Sequence, residues 1–249
     1  MLRVLLVCAL LVSGAFAEKI TVLAAASLKF VLEDIKKEFL KTHKKDKIEV
    51  SYIASGKAYA QIKEGSPAEL FIAADSEYPA KVVADGNAAS EAKNYVKGKL
   101  VLFSINKDFN ASSEAILKDA KVQNVAIPNP KVAPYGRAAE TYLKKTKQEK
   151  PLKKKLAIGQ SIGEATTYVT QGSADVGFTA LSMVIRGEVK DKNPDLTYVV
   201  IDQKFYDPIV QALVVTKAGA NSKLANEFAE YVLGEKAQAI FANYGYDKP

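Results

Sequence analysis

Ile20-Thr21-Val22-Leu23-Ala24-Ala25-Ala26-Ser27-Leu28 is an apolar strand that runs directly into an amphipathic helix, and its reading decides the fold. Beyond it, Leu28, Leu32, Ile35 and Phe39 fall on one helical face with charges opposite. Ser27 stands at the junction. A serine there can cap the helix, and a helix N-terminus presents free N–H groups and the positive end of a dipole to an anion. The same order of strand, small residue, serine and helix recurs at Val50-Ser51-Tyr52-Ile53-Ala54-Ser55-Gly56. For either serine alone, a capping role worth about 1 kcal/mol balances a functional one. Their recurrence in matched contexts favours function.

Working outward, short apolar runs alternate with helical patterns, which indicates an α/β fold with mainly parallel sheets. Strands are expected at 48–53, 70–74, 125–127 and 176–180, and helices at 56–64, 76–84 and 162–171, with another after Pro134. Gly65 is suited to end the second helix in a left-handed conformation. The tail, 222–233 and 236–243, is helical. Two further apolar strands, 100–103 and 210–215, bracket a middle block with its own βα pattern. A discontinuous first lobe, an inserted second lobe and two crossing segments explain this layout. The expected division is 18–99 plus 212–249 for the first lobe and 100–211 for the second. No long-period repeat interrupts it.

Residues 1–17 read as an export signal: Arg3, an apolar stretch from Val4 to Val12, and the A-x-A site Ala15-Phe16-Ala17. The apolar stretch is too short to span a bilayer. Cleavage removes Cys8, the single cysteine, so the exported chain must be held by its core rather than by disulfides. A soluble periplasmic protein is expected. The formal net charge of +7 comes from lysines spread along helix faces, such as Lys36, Lys37 and Lys41 or Lys153 to Lys155, which are ordinarily solvated. No tryptophan and no aromatic-interleaved basic stretch is present, so nucleic acid is not an expected partner.

Ligands of open α/β sheets sit beyond the C-terminal ends of strands. Ala26-Ser27, Ser55-Gly56, Ala74-Asp75, 129–136 and 161–163 all meet that rule. Pro134 suits the first turn of a helix and leaves the N–H groups of Tyr135 and Gly136 free to donate. Gly136 reads as giving open access to the backbone. Ser161 with Glu164 three positions on forms a capping box, and the first-turn N–H of Ile162 remains a candidate donor. Catalysis finds little support. His43 is the only histidine, in an exposed-looking lysine-rich run, and no P-loop motif occurs. Asp75 and Glu77 read as a solvated surface pair.

Taken as a set, Ala24-Ala25-Ala26-Ser27-Leu28, Ala54-Ser55-Gly56, Pro67 to Asp75, Asn129 to Gly136, Ala174 to Phe178 and Phe241 to Tyr246 give a family resemblance. The chain resembles the periplasmic molybdate-binding proteins, the ModA-type solute receptors of ABC importers, over essentially the whole exported length. The resemblance implies a type II periplasmic binding protein fold, two α/β lobes joined by two crossing segments with the ligand cleft between them. It implies a molybdate or tungstate ligand, no cofactor, no metal held directly by side chains, a membrane permease as transient partner, and a monomer. It implies side-chain and backbone donation by Ser27 and Ser55, and backbone N–H donation by Ala74, Tyr135 and Ile162. Many relatives place a tyrosine hydroxyl where this chain has Ala180, so Thr179 or Ser182 is the candidate extra donor. A receptor for sulfate, phosphate or another oxyanion is the nearest alternative. An exported hydrolase using either serine lacks a base, and a sensory domain lacks a DNA-binding segment.

Overall fold

The structure is a computed structural model and describes residues 17–249. The export signal expected at 1–17 therefore lies, except for Ala17, outside the described residues. Among the described residues no helix is long and apolar enough to cross a membrane.

The strands in chain order are β1 (Lys19–Ala25), β2 (Lys47–Ile53), β3 (Leu70–Ile72), β4 (Lys93–Gly98), β5 (Leu100–Ser104), β6 (Val125–Pro128), β7 (Leu156–Gly159), β8 (Val176–Ala180), β9 (Thr197–Val200) and β10 (Ile209–Val215). The helices are α1 (Lys29–Phe39), α2 (Ser55–Lys63), α3 (Glu77–Ala84), α4 (Pro134–Lys145), α5 (Glu149–Leu152), α6 (Ile162–Thr170), α7 (Leu181–Val184), α8 (Glu188–Lys192), α9 (Lys223–Leu233) and α10 (Glu235–Asn243). The strands form two five-stranded sheets, ordered β2-β1-β3-β10-β4 and β7-β6-β8-β5-β9. In the first sheet β1 runs parallel to β2 and β3, while β10 is antiparallel to β3 and β4. In the second, β6 is parallel to β7 and β8, and β5 is antiparallel to β8 and β9.

Each parallel core is apolar because helices cover both faces. All residues of β3, β6 and β8 are buried, and β1 is buried from Val22 onward. The edge strand β9 instead alternates, with Tyr198 and Val200 exposed. Helix α1 buries Val31, Leu32, Ile35 and Phe39, the face its spacing predicts. Gly65 and Gly86 follow α2 and α3 with φ of +89° and +72°, left-handed stops that a side chain would strain.

Strands β5 and β10 are regular antiparallel members of the second and first sheet respectively. The chain passes from the first sheet to the second at Lys99, between β4 and β5, and returns through 201–208. Strands β4, β7 and β9 give weak sequence signals, because much of each faces solvent. His43, expected in the open, stacks on Phe39 with ring centroids 3.9 Å apart, and its Nε2 lies 3.4 Å from Glu227. The helix end folds back over the aromatic ring there, covering it partly.

Candidate functional site

Five strands deliver their C-terminal ends to one place. β1, β2 and β3 of the first sheet lead into Ser27, Ser55 and Ala74; β6 and β7 of the second lead into Tyr135 at the start of α4 and Ile162 at the start of α6. Ser27, Ser55, Ala74, Tyr135 and Ile162 all line a single small hollow between the sheets. Its remaining lining is Ala25, Ala26, Ile53, Ala54, Ala133 and Pro134, so no charged side chain borders it. All five expected residues are buried, none more than 5% exposed.

Neither serine is a helix cap. Ser27 lies inside a single 3-10 turn (Ala26–Leu28) before α1, and its Oγ is buried with no hydrogen-bond partner among the described residues. Ser55 is the first residue of α2 rather than its cap, and its Oγ accepts the N–H of Ala74 at 3.0 Å. That bond uses an oxygen lone pair and leaves the Ser55 proton to donate elsewhere. It also commits the Ala74 N–H to Ser55. The sequence reading had Ala74 facing a ligand; here Ala74 aims the serine instead.

The starts of α4 and α6 carry N–H groups without acceptors. The first N–H groups of a helix have no intrahelical acceptor, and those of Tyr135 and Ile162 have none among the described residues. Pro134 occupies the first position of α4, as expected. Gly136 has a different role from the one expected. A Cβ there would stand 2.3 Å from the Pro128 carbonyl oxygen, so glycine permits the turn to close rather than exposing it. Ser161 caps α6 by accepting the Glu164 N–H (3.1 Å), while the Glu164 carboxylate returns to Gln160 N–H rather than to that of Ser161.

Thr179 and Ser182 do not line the hollow. Thr179 Oγ1 is 2.7 Å from Thr166 Oγ1. Ser182 Oγ donates to the Ser27 carbonyl (3.2 Å) and lies 3.0 Å from Tyr246 Oη, which also reaches that carbonyl (3.4 Å). Ser182 and Tyr246 thus hold the Ser27 carbonyl, while Thr179 is tied to α6. A buried polar chain flanks this point: Tyr95 Oη donates to the Ala73 carbonyl (2.7 Å) and lies 2.9 Å from Gln211 Oε1, and Gln211 Nε2 donates to Tyr135 Oη (3.1 Å). Burial pushes the Tyr95 and Tyr135 hydroxyls well above the ordinary phenol range, so both stay protonated. The Tyr135 hydroxyl accepts from Gln211 of β10, while its backbone N–H has no acceptor among the described residues. Gly98 makes room, since a Cβ there would be 2.0 Å from Tyr135 Oη.

Sequence reasoning missed the charged pair beside the hollow. Asp75, expected to be solvated, is buried; its carboxylate accepts the Tyr78 N–H (3.0 Å) and pairs with Arg137 of α4. Burial raises the Asp75 carboxyl above its usual value, outweighing the Tyr78 N–H and Arg137. Burial pulls Arg137 down, but the Asp75 carboxylate outweighs it and leaves the guanidinium above its usual value. The arrangement as a whole offers hydroxyl and N–H donors to a small acceptor-rich anion, with no carboxylate in the lining to repel it.

Three comparisons bear on what such a hollow is for. The family model described as bacterial extracellular solute-binding protein matches residues 20–247. The molybdate-binding protein ModA of Azotobacter vinelandii is 33% identical over 95% of this chain and 93% of its own length. That of Rhodobacter capsulatus is 36% identical over 77% of this chain and 74% of its own length. The solved periplasmic molybdate-binding protein of Azotobacter vinelandii superposes with a TM-score of 0.84 at 31% identity, covering 92% of this chain and 99% of that one.

Proposed function

The chain belongs to the bacterial extracellular solute-binding proteins, among the relatives of the molybdate-binding proteins, and on that premise we propose that it captures molybdate in the periplasm and delivers it to the permease of an ABC importer. Tungstate, nearly the same size and charge, is the second ligand. The observation that supports the reading is the buried Ser27 hydroxyl, without a partner among the described residues, in a hollow also lined by Ser55 and by Tyr135 and Ile162, whose N–H groups have no acceptor among those residues. Buried polar groups are rarely left unpaired, and an oxyanion supplies the missing acceptors.

Ser27 and Ser55 donate from the first lobe, Tyr135 and Ile162 from the second. Hydrogen bonds to a charged acceptor contribute about 1.5–3 kcal/mol each. Fixed neutral donors need little rearrangement when charge arrives, unlike mobile lysines. Selectivity then rests on length. An anion with shorter bonds than molybdate leaves one or more N–H groups unpaired, which costs affinity. A singly protonated phosphate additionally needs an acceptor, and no carboxylate lines the hollow. The protein acts as a monomer that docks transiently on its permease.

Isothermal titration of the exported chain with molybdate, tungstate, sulfate and phosphate tests this. Tight, mutually competitive binding of the first two and little heat from the others is the expected result. Absence of molybdate heat, or tighter sulfate binding, would overturn it.

A further inference from the structure

The loop that follows β5 carries Asp108-Phe109-Asn110-Ala111-Ser112. Of the chain's asparagines, Asn110 alone is followed by a residue other than proline and then by serine or threonine, the acceptor pattern for an N-linked glycan. So short a pattern recurs by chance, and its geometry is what singles it out here. Asn110 and Ser112 are both exposed. Asn110 Oδ1 accepts the Ser112 N–H at 2.9 Å, which leaves Asn110 Nδ2 and the Ser112 hydroxyl without partners among the described residues. Asp108, two places before the acceptor, is exposed and pairs with no cation among those residues. Beside Asn110 lies a depression of about 270 Å³ whose lining includes Asn106, Lys107, Asp195 and Thr197, a polar floor suited to a sugar ring. The loop also stands clear of the hollow. β5 is antiparallel to β8, with Leu100 opposite Ala180 and Phe103 opposite Gly177, so Ser104 ends at the side of the sheet away from the C-terminal ends of β6 and β7.

We propose that Asn110 is an N-glycosylation site, modified by an oligosaccharyltransferase that uses a polyprenyl-diphosphate-linked oligosaccharide as donor. The proposal goes beyond the anion-binding reading and shares with it only the passage of the chain into the periplasm. In the transfer, Asn110 Nδ2 attacks the anomeric carbon of the first sugar and a C–N bond forms. The bond from that carbon to the diphosphate oxygen breaks, its electron pair leaves with the polyprenyl diphosphate, and the amide gives up one proton to a base of the transferase. The Asp108 carboxylate offers an arginine of that enzyme a two-bond partner, and the Ser112 hydroxyl offers it a hydrogen bond. Ala111 is fully buried, and its N–H donates to Thr197 Oγ1 of β9 at 2.9 Å. Transfer therefore takes place on the exported chain before the loop docks. After docking, the exposed amide carries the glycan into solvent, where its bulk covers a loop otherwise open to proteases.

The test isolates the protein from the periplasm of its own host and maps the tryptic peptide 108–118 by mass spectrometry. Part or all of that peptide should carry an oligosaccharide increment, placed on Asn110 by electron-transfer fragmentation. Asn110→Gln and Ser112→Ala, expressed in the same host, should lose the increment entirely. Ser112→Thr should keep it, and Asp108→Ala should lower its occupancy severalfold. All four variants should bind molybdate as the unsubstituted protein does, because the loop lies at the far end of the second sheet. A peptide recovered only in unmodified form, or an increment that survives Ser112→Ala, would overturn the assignment. If molybdate binds and the peptide is bare, the glycan falls alone. If Asn110 is modified and no molybdate heat is seen, the anion reading falls and the glycan stands.

Discussion

Replacing Ser27 and Ser55 by alanine, one at a time, separates two roles that both serines otherwise share. Ser27 Oγ has no partner among the described residues, whereas Ser55 Oγ accepts the Ala74 N–H at 3.0 Å. Ser27→Ala thus removes an unpaired buried hydroxyl, and the ligand-free protein should be as stable as before or slightly more so. Ser55→Ala strands the Ala74 N–H, a loss of about 1–3 kcal/mol. For a chain of this size that lowers the melting temperature by roughly 2–4 °C per kcal/mol. Toward the anion the two should behave alike. Each forfeits one charge-assisted hydrogen bond, about 1.5–3 kcal/mol, or roughly 10- to 150-fold in dissociation constant. Titration calorimetry with molybdate reads the affinities, and scanning calorimetry without ligand reads the stabilities. The reasoning is refuted if Ser27→Ala destabilises the ligand-free protein as much as Ser55→Ala, or if its affinity falls less than about threefold.

Gly136→Ala should weaken molybdate binding while costing about 1–3 kcal/mol of stability, because the new methyl meets the Pro128 carbonyl and displaces the start of α4; thermal melts and titration read the two effects. Gln211→Leu removes the donor to Tyr135 Oη and should cost about 1–3 kcal/mol in urea unfolding with an unchanged slope; full stability would show that the buried chain is idle. The Glu49 carboxyl, hydrogen-bonded by Lys19 and Lys47, should titrate near about 2 by NMR rather than near 4.5. Its folded value lies below the unfolded one, so its contribution is present above the unfolded value and is lost as pH falls toward about 2. High salt or Lys19→Met should move the midpoint upward, since both groups are exposed.

The strand-to-helix junctions were legible because each is local: an apolar run, a small residue and a polar one fix where the backbone turns. Ser27, Ser55, Tyr135 and Ile162 were found that way, and all line the hollow. What the serines bond was not legible. Capping and binding demand the same residue at the same place, and only the fold shows that neither Oγ caps its helix. Asp75 and Arg137 were misread or passed over for another reason. They lie 62 positions apart in opposite lobes, and nothing local distinguishes a carboxylate bound for the cleft from a solvated one. Gly136 reads as opening the backbone to access, whereas it yields to the Pro128 carbonyl, and Gly98, which carries no local signal, makes room for Tyr135 Oη. Strand β4 was missed because only Tyr95, Val96 and Gly98 of its six residues are buried.

If the proposed donors are divided between the two lobes, closure and affinity become one quantity. Ser27 and Ser55 alone offer about 3–6 kcal/mol to a dianion, which corresponds to dissociation constants from millimolar to tens of micromolar. The Tyr135 and Ile162 N–H groups double that gross figure only when α4 and α6 stand over the same anion. On the proposed reading, one lobe alone would capture weakly and release quickly, and retention would require both sets of donors at once. The hollow has no charged lining with which to hold itself closed, and it could not use one without losing its discrimination by size.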